Sequence, residues 1–313
     1  MSVLSAPHFH NEKAAYAYVE ARIWPTGPIC PHCGGVERLS KLEGKSTRIG
    51  VYKCYQCRKP FTVKIGTIFE ASHVPMNVWL QAMYLIAGSK KGISSNQLHR
   101  TLGVTLKTAW FMSHRIREAM RGGDLAPFGS GGGIVEADET FIGTEPEILS
   151  GKVSRSTGAS HKMKVLALID RDTGRSRAFV VNYISADIVM PILRENMARE
   201  ARLITDESQI YRRAIKDFSA HGTVNHSAGE YVSRFDRTVT TNTIEGYFSI
   251  FKRGMRGVYQ FCGKKHLHRY LAEFDFRYSN RIALGVNDAE RADKLLAGIV
   301  GKRLTYQRAH IGG

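Results

Sequence analysis

Two Cys-x2-Cys knuckles, Cys30-Pro31-His32-Cys33 and Cys54-Tyr55-Gln56-Cys57, stand in the spacing C-x2-C-x20-C-x2-C. Each knuckle turns tightly enough to aim two thiolates at one point. Together the two make a four-sulfur tetrahedral shell with no open position for water. That describes a structural zinc site, and it obliges the Lys-, Ser- and Thr-rich stretch between the knuckles to double back as a hairpin. Residues 26–70 are therefore set apart as a zinc ribbon held by Cys30, Cys33, Cys54 and Cys57. Phe61, Val63, Ile65 and Ile68 are expected to supply strand residues after the second knuckle. His32 reads as a spacer within its knuckle, and the distant Cys262 as an unpaired thiol. In a reducing compartment, cysteines in this pattern are ligands or free thiols, not disulfides.

The rest of the chain is governed by charge. Its 313 residues leave room for one large domain and one or two small ones. There are 45 Lys and Arg against 28 Asp and Glu, a net charge of +17 with a pI near 9.8. Such an excess calls for a polyanionic partner, and nucleic acid fits better than an anionic membrane, because no basic amphipathic anchor stands out. The first five residues lack a basic stretch followed by an apolar one, which argues against a secretory signal. The longest apolar segment, around residues 78–87, is interrupted by Gln81 and too short to span a bilayer. A cytoplasmic, nucleoid-associated protein with no membrane partner is expected.

Apolar periodicity places helices at residues 11–24 and 75–89. Residues 71–124 read as a DNA-binding helix-turn-helix region. Ser94 or Ser95 can cap its first helix, Gly103 can take the left-handed turn, and Thr105 can cap a second helix running to about Met120. Lys107 and Arg115 on that helix are candidate DNA contacts, beside His114 and Arg117. Trp79, Tyr84 and Trp110 read as core. Glycines at 122–123 and 129–133 mark a boundary.

Beyond that boundary the pattern changes. Strands are expected at 134–140, 164–170, 177–183 and 201–205, with a helix at 186–199 before the last. Residues 208–218 look helical, 224–226 read as a short fifth strand, and helix returns from 243. Three strands, a helix, a strand and a later helix form the order of a ribonuclease H-like mixed sheet, so an α/β catalytic domain is expected over 131–283. Residues 1–25 would be an N-terminal helix. Residues 284–313 would be a tail, a peripheral helix followed by a basic end.

That order puts Asp138 on the first strand and Asp206 at the end of the fourth, strands that neighbour each other in such a sheet. Glu245 arrives from the later helix with Lys252 two turns on, so Glu245, Ser249 and Lys252 share a face. Three carboxylates brought together resist ionisation without a cation, and all-oxygen ligands favour magnesium or manganese. Two such ions can serve both oxygens of a phosphoryl transfer. Glu136 and Glu139 compete with Asp138 in Ile134-Val135-Glu136-Ala137-Asp138-Glu139-Thr140. Lys252, Arg253 and Arg256 form a cationic surface for DNA. Asn242 can cap the helix or contact DNA, and His226 reads as a structural histidine.

These segments resemble bacterial insertion-sequence transposases of the DDE type with an N-terminal zinc ribbon, the ISXO2-like group. The carrying stretches are the two knuckles, Ala137-Asp138-Glu139-Thr140-Phe141-Ile142-Gly143, and Thr241-Asn242-Thr243-Ile244-Glu245-Gly246-Tyr247-Phe248-Ser249-Ile250-Phe251-Lys252-Arg253-Gly254. The resemblance implies that Asp138, Asp206 and Glu245 are a metal-binding triad and that Lys252 is the basic residue following the last acid. It also implies binding to terminal inverted repeats and target DNA, cleavage and strand transfer, and a dimer or larger assembly on DNA. Some relatives carry Asn as the third residue, whereas this chain keeps Glu. Gly143-Thr144-Glu145-Pro146 departs from the double glycine expected after the first acid, and Glu207 stands beside Asp206 as a second candidate. Two other readings stay open: a non-catalytic DNA-binding regulator, such as a domesticated transposase, and a nuclease that cuts without joining.

Overall fold

The structure is a computed structural model. It describes residues 2–122, 126–144, 161–212, 214–234 and 236–305. The chain forms two compact units, Met1–Arg121 with Val286–Gly313, and Gly122–Gly285. Residues 145–160, where a double glycine is expected after the first acid, lie outside the described residues, as do residues 306–313.

In the first unit, α1 (Glu12–Ile23) starts at Asn11, whose side chain accepts from the Ala14 N–H, and buries Ala15 and Val19. The ribbon follows as β1 (Leu39–Lys41), β2 (Tyr52–Cys54) and β3 (Pro60–Phe61), an antiparallel sheet with Leu39 opposite Cys54 and Tyr52 opposite Phe61. Its core is small: Cys30, Cys54 and Phe61, flanked by Trp24 and Tyr52. The strand expected through Ile68 stops at Phe61. The Thr62 hydroxyl accepts from the Lys64 N–H, and Thr67 Oγ1 donates to the Lys64 carbonyl, so side chains close tight turns where a ladder would need free backbone.

Next come α2 (Met76–Gly88), α3 (Ser95–Leu102) and α4 (Leu106–Met120). Ser94 caps α3, Thr105 caps α4, and Gly103 between them has φ +66°, the left-handed turn that lets two short helices fold back on each other. The last helix, α8 (Asp288–Ala297), is not peripheral. It packs on α2, buries Leu295 and Leu296, and ties Asp293 to Arg22 and Tyr18 of α1. Asn287 and Glu290 close a capping box at its start.

The second unit is built on five strands in the order β6-β5-β4-β7-β8. They are β4 (Ile134–Ile142), β5 (Met163–Asp170), β6 (Ser176–Val181), β7 (Arg202–Asp206) and β8 (Ala220–Val224). β4, β5 and β6 run antiparallel, while β7 is parallel to both β4 and β8. Helix α5 (Ala186–Asn196) covers one face, packing Val189 and Leu193 on Val135, Ala137, Leu166 and Leu168. Helices α6 (Asn242–Gly254) and α7 (Lys264–Ser279) cover the other, packing Ile244, Phe248, Phe251 and Leu271 on Val165, Ala167 and Ile169. Covered on both faces, β5 is almost continuously apolar, as a central strand must be.

Two segments differ from expectation. Residues 208–218 are not one helix but two short 3-10 turns, Gln209–Tyr211 and Ala214–Lys216. The spacing of Tyr211, Ala214 and Phe218 buries the same side chains either way. The fifth strand lies at Ala220–Val224, ahead of the expected 224–226, because Gly222 leaves room for Val239 over the sheet: a Cβ there would stand 2.9 Å from the Val239 side chain. No helix among the described residues is long and apolar enough to cross a membrane.

Candidate functional site

The ribbon brings its four cysteines together. All four sulfur atoms lie within 4.8 Å of one another, with Cys30–Cys57 and Cys33–Cys54 both at 3.7 Å. A tetrahedron of sulfurs about 2.3 Å from zinc has edges of roughly 3.8 Å, so the spacing fits a bound zinc ion. The Cys57 N–H points at Cys54 Sγ, holding that thiol down at about 7 and favouring the thiolate a metal needs. His32 is not in the cluster; its Nε2 faces the Pro60 carbonyl at 3.4 Å. Cys262 is buried in the core of the second unit.

On β4 the alternation of the strand separates the acids. Glu136 and Asp138 fall on the α6 side, and Glu139 on the α5 side, where its carboxylate accepts from the buried Tyr211 hydroxyl at 2.5 Å. Glu136 is fully buried and has a structural task. Its Oε1 meets Arg171 Nε at 2.5 Å, and its Oε2 accepts from the Ile244 N–H at 2.8 Å. Arg171 also donates to the Thr238 and Thr240 carbonyls. The carboxylate thus sits against the positive end of α6 and fixes its first turn to β4. Glu136→Ala would leave the Arg171 guanidinium without its counter-charge and the buried Ile244 N–H without its acceptor, and a loss of about 3 kcal/mol in unfolding free energy is expected by denaturant titration.

The register pairs Glu136 with Ile204 across the parallel β4–β7 ladder. Carried two residues on, it sets Asp138 level with Asp206, on the same side of the sheet. The Asp138 carboxyl is pushed up to about 7, first by burial and then by the Glu139 and Asp206 carboxylates, against the pull of the Glu139 N–H and Lys252. Asp206 Oδ1 accepts from the Ser208 N–H at 3.0 Å. Glu207, the competing acid, is committed elsewhere. It accepts from the Ser227 hydroxyl and the N–H groups of His226 and Ser227, which hold its carboxyl below the usual range.

Glu245 lies in the first turn of α6, one residue past the anchored Ile244. Its Oε1 accepts from the Thr241 hydroxyl at 2.8 Å and lies 3.5 Å from His226 Nε2. The three carboxylates do not close to the mutual 4.8 Å that the cysteines reach. His226, read as structural from sequence, is a neighbour of the third acid, as is Thr241; no local pattern in the sequence signals either contact. Asn242 does not cap α6, which Thr241 precedes.

Among the cations, Lys252 is close enough to Asp138 to oppose its upward shift. Arg253 and Arg256 are exposed, as is Lys107 on the first turn of α4. Arg115 is a correction. It is buried, with Nη1 donating to the Ile68 and Glu70 carbonyls and Nε to the Leu304 carbonyl, so its charge is spent inside the unit. His114 and Arg117 are buried as well.

Residues 10–60 match the transposase zinc-ribbon domain, and residues 131–279 match the ISXO2-like transposase domain. An uncharacterized protein in transposable element ISH50 of Halobacterium salinarum is 28% identical over 284 residues, which take in 86% of this chain and 91% of that protein. Matched in both its metal-binding ribbon and its sheet domain, the chain carries a transposase zinc-ribbon domain followed by an ISXO2-like transposase domain.

Proposed function

We propose that this protein is a DDE-type DNA transposase that cleaves at the terminal inverted repeats of its element and joins the freed ends to target DNA. The observation that carries this reading is the register of β4 and β7, which sets Asp138 beside Asp206, with Glu245 on a helix pinned to β4. The sheet order, with β4 between antiparallel β5 and parallel β7, supports a ribonuclease H-like domain.

Asp138, Asp206 and Glu245 would hold magnesium or manganese. The fit rests on their all-oxygen chemistry and on a carboxyl that burial and like charge have already pushed to about 7. When bound, such a cation offsets the charge on the attacking and leaving oxygens at phosphorus. Glu245 would reach it by turning its side chain from Thr241. Lys252, two turns along the same helix, would pin a DNA phosphate beside the acids, and Arg253 and Arg256 would extend that contact.

Helices α3 and α4 are read as the helix-turn-helix, with the exposed first turn of α4, Leu106 and Lys107, entering the groove. Lys107→Ala is expected to weaken DNA binding several-fold and to lower the salt slope by about one. Arg115→Ala should lower the melting temperature and leave the salt slope unchanged. Bringing two ends together requires a dimer or larger assembly on DNA. A non-catalytic regulator would leave the acids and Lys252 without a task.

The test is an oligonucleotide reaction with the DNA ends that flank the gene, with magnesium or manganese present. Joined products that vanish with Glu245→Gln are expected. Cleavage without joining would make the protein a nuclease, and binding with neither would make it a regulator.

A further inference from the structure

Between α6 and α7 the chain passes through a π turn, Met255–Tyr259, and then a reversal at Gln260 with φ +59° and ψ −50°. The Phe261 N–H donates to the Tyr259 carbonyl at 2.6 Å, closing a γ-turn of the rare, strained hand. Such a conformation persists only where its flanks are held. Here they are. The Tyr259 hydroxyl donates to Glu273, and its ring packs edge-on against Tyr270 and Phe274. On the other side Cys262 is buried in the same core. The result is a single aromatic ring thrust outward: Phe261 is 71% exposed.

Its surroundings say what it meets. Between Glu245 and Glu273 there is no acidic residue, while Lys252, Arg253, Arg256, Lys264, Lys265 and Arg269 fall in that stretch. An apolar patch meant for a second copy of this chain would bring two such cationic surfaces together, which like-charge repulsion opposes. A polyanion with flat apolar faces satisfies both features. We infer that Phe261 is a stacking platform for an unpaired DNA base, presented rigidly by the Gln260 turn while the neighbouring cations hold the flanking phosphates. An aromatic wedge of this kind takes up a base that has left the duplex, which is how proteins stabilise frayed or opened DNA next to a reaction centre.

This inference rests on the DNA-processing reading above, and the experiment separates the two. Binding of the full-length protein is measured on two probes made from the DNA end that flanks the gene. One is a blunt duplex, and the other is a forked duplex with 2-aminopurine in its unpaired arm. For Phe261→Ala we expect a loss of about tenfold or more in affinity for the fork, little change on the blunt duplex, and loss of the 2-aminopurine quench. Phe261→Trp should restore the affinity and the quench, and its own emission should fall on binding. The proposal is overturned if Phe261→Ala matches wild type on the fork, or if it changes only the sedimentation of the free protein, which would make the ring a self-association contact. Failure of the wild type to bind either probe would instead sink the DNA-processing reading itself.

Discussion

Asp138→Asn is expected to abolish strand transfer and, at the same time, to stabilise the protein in the absence of added magnesium or manganese. The two effects share one cause. The fold holds this carboxyl at about 7, against 3.8 for an ordinary aspartate, by burying it beside Glu139 and Asp206. A folded state that keeps a proton which the unfolded chain gives up is favoured at low pH. The contribution is complete below about pH 4 and is lost as pH rises through about 7. At pH 8 the wild type therefore carries a desolvated, repelled carboxylate at a cost on the order of 4 kcal/mol. Asparagine keeps the oxygen that accepts the Glu139 N–H and removes the charge. Melting curves should show the variant more stable than wild type at pH 8 and level with it near pH 4. The same substitution removes a ligand from the proposed cation site, and joined product should fall by about a thousandfold or more. Equal melting temperatures at pH 8 would mean that the carboxyl is not held as described, and retained strand transfer would remove Asp138 from the chemistry.

Removal of zinc should have the second-largest effect, confined to the first unit. The ribbon has three short strands and a core of Cys30, Cys54 and Phe61 with a few flanking rings. Structural zinc in small domains contributes about 10–16 kcal/mol at neutral pH, far more than so small a core can replace. Treatment with a zinc chelator should release metal equimolar with protein and open residues 26–70 to protease. The core of the second unit, centred on β5, should stay resistant. Cys33→Ser should behave as the chelated protein does. A chelated ribbon that still resists protease would show that the four thiols hold the fold without metal.

The parts legible in the sequence were those set by local chemistry. The knuckles announced the cysteine cluster, Ser94, Gly103 and Thr105 marked the ends of α3 and α4, and the apolar run through Val165, Leu166, Leu168 and Ile169 marked the central strand. What escaped depended on partners far along the chain. An arginine on a helix reads as surface, yet Arg115 is buried because carbonyls from three distant residues meet its donors. Burial of Tyr211, Ala214 and Phe218 serves two 3-10 turns as well as it would one helix, and periodicity cannot separate them. Glu136 and Asp138 share a strand face, so only the contacts with Arg171 and Ile244 distinguish an anchoring carboxylate from a candidate ligand. The turn at Gln260 carries no glycine to announce it, since its strain is borne by Tyr259 and Cys262 on either side.

The central claim is that Glu245 leaves Thr241 to join Asp138 and Asp206 on one cation. Titration of manganese into the zinc-loaded, DNA-bound protein, followed by electron paramagnetic resonance, tests it most directly. The expected result is a tight site that Asp206→Asn abolishes and Glu245→Gln weakens about tenfold or more. Manganese bound as tightly by Glu245→Gln as by wild type, with strand transfer intact, would contradict it.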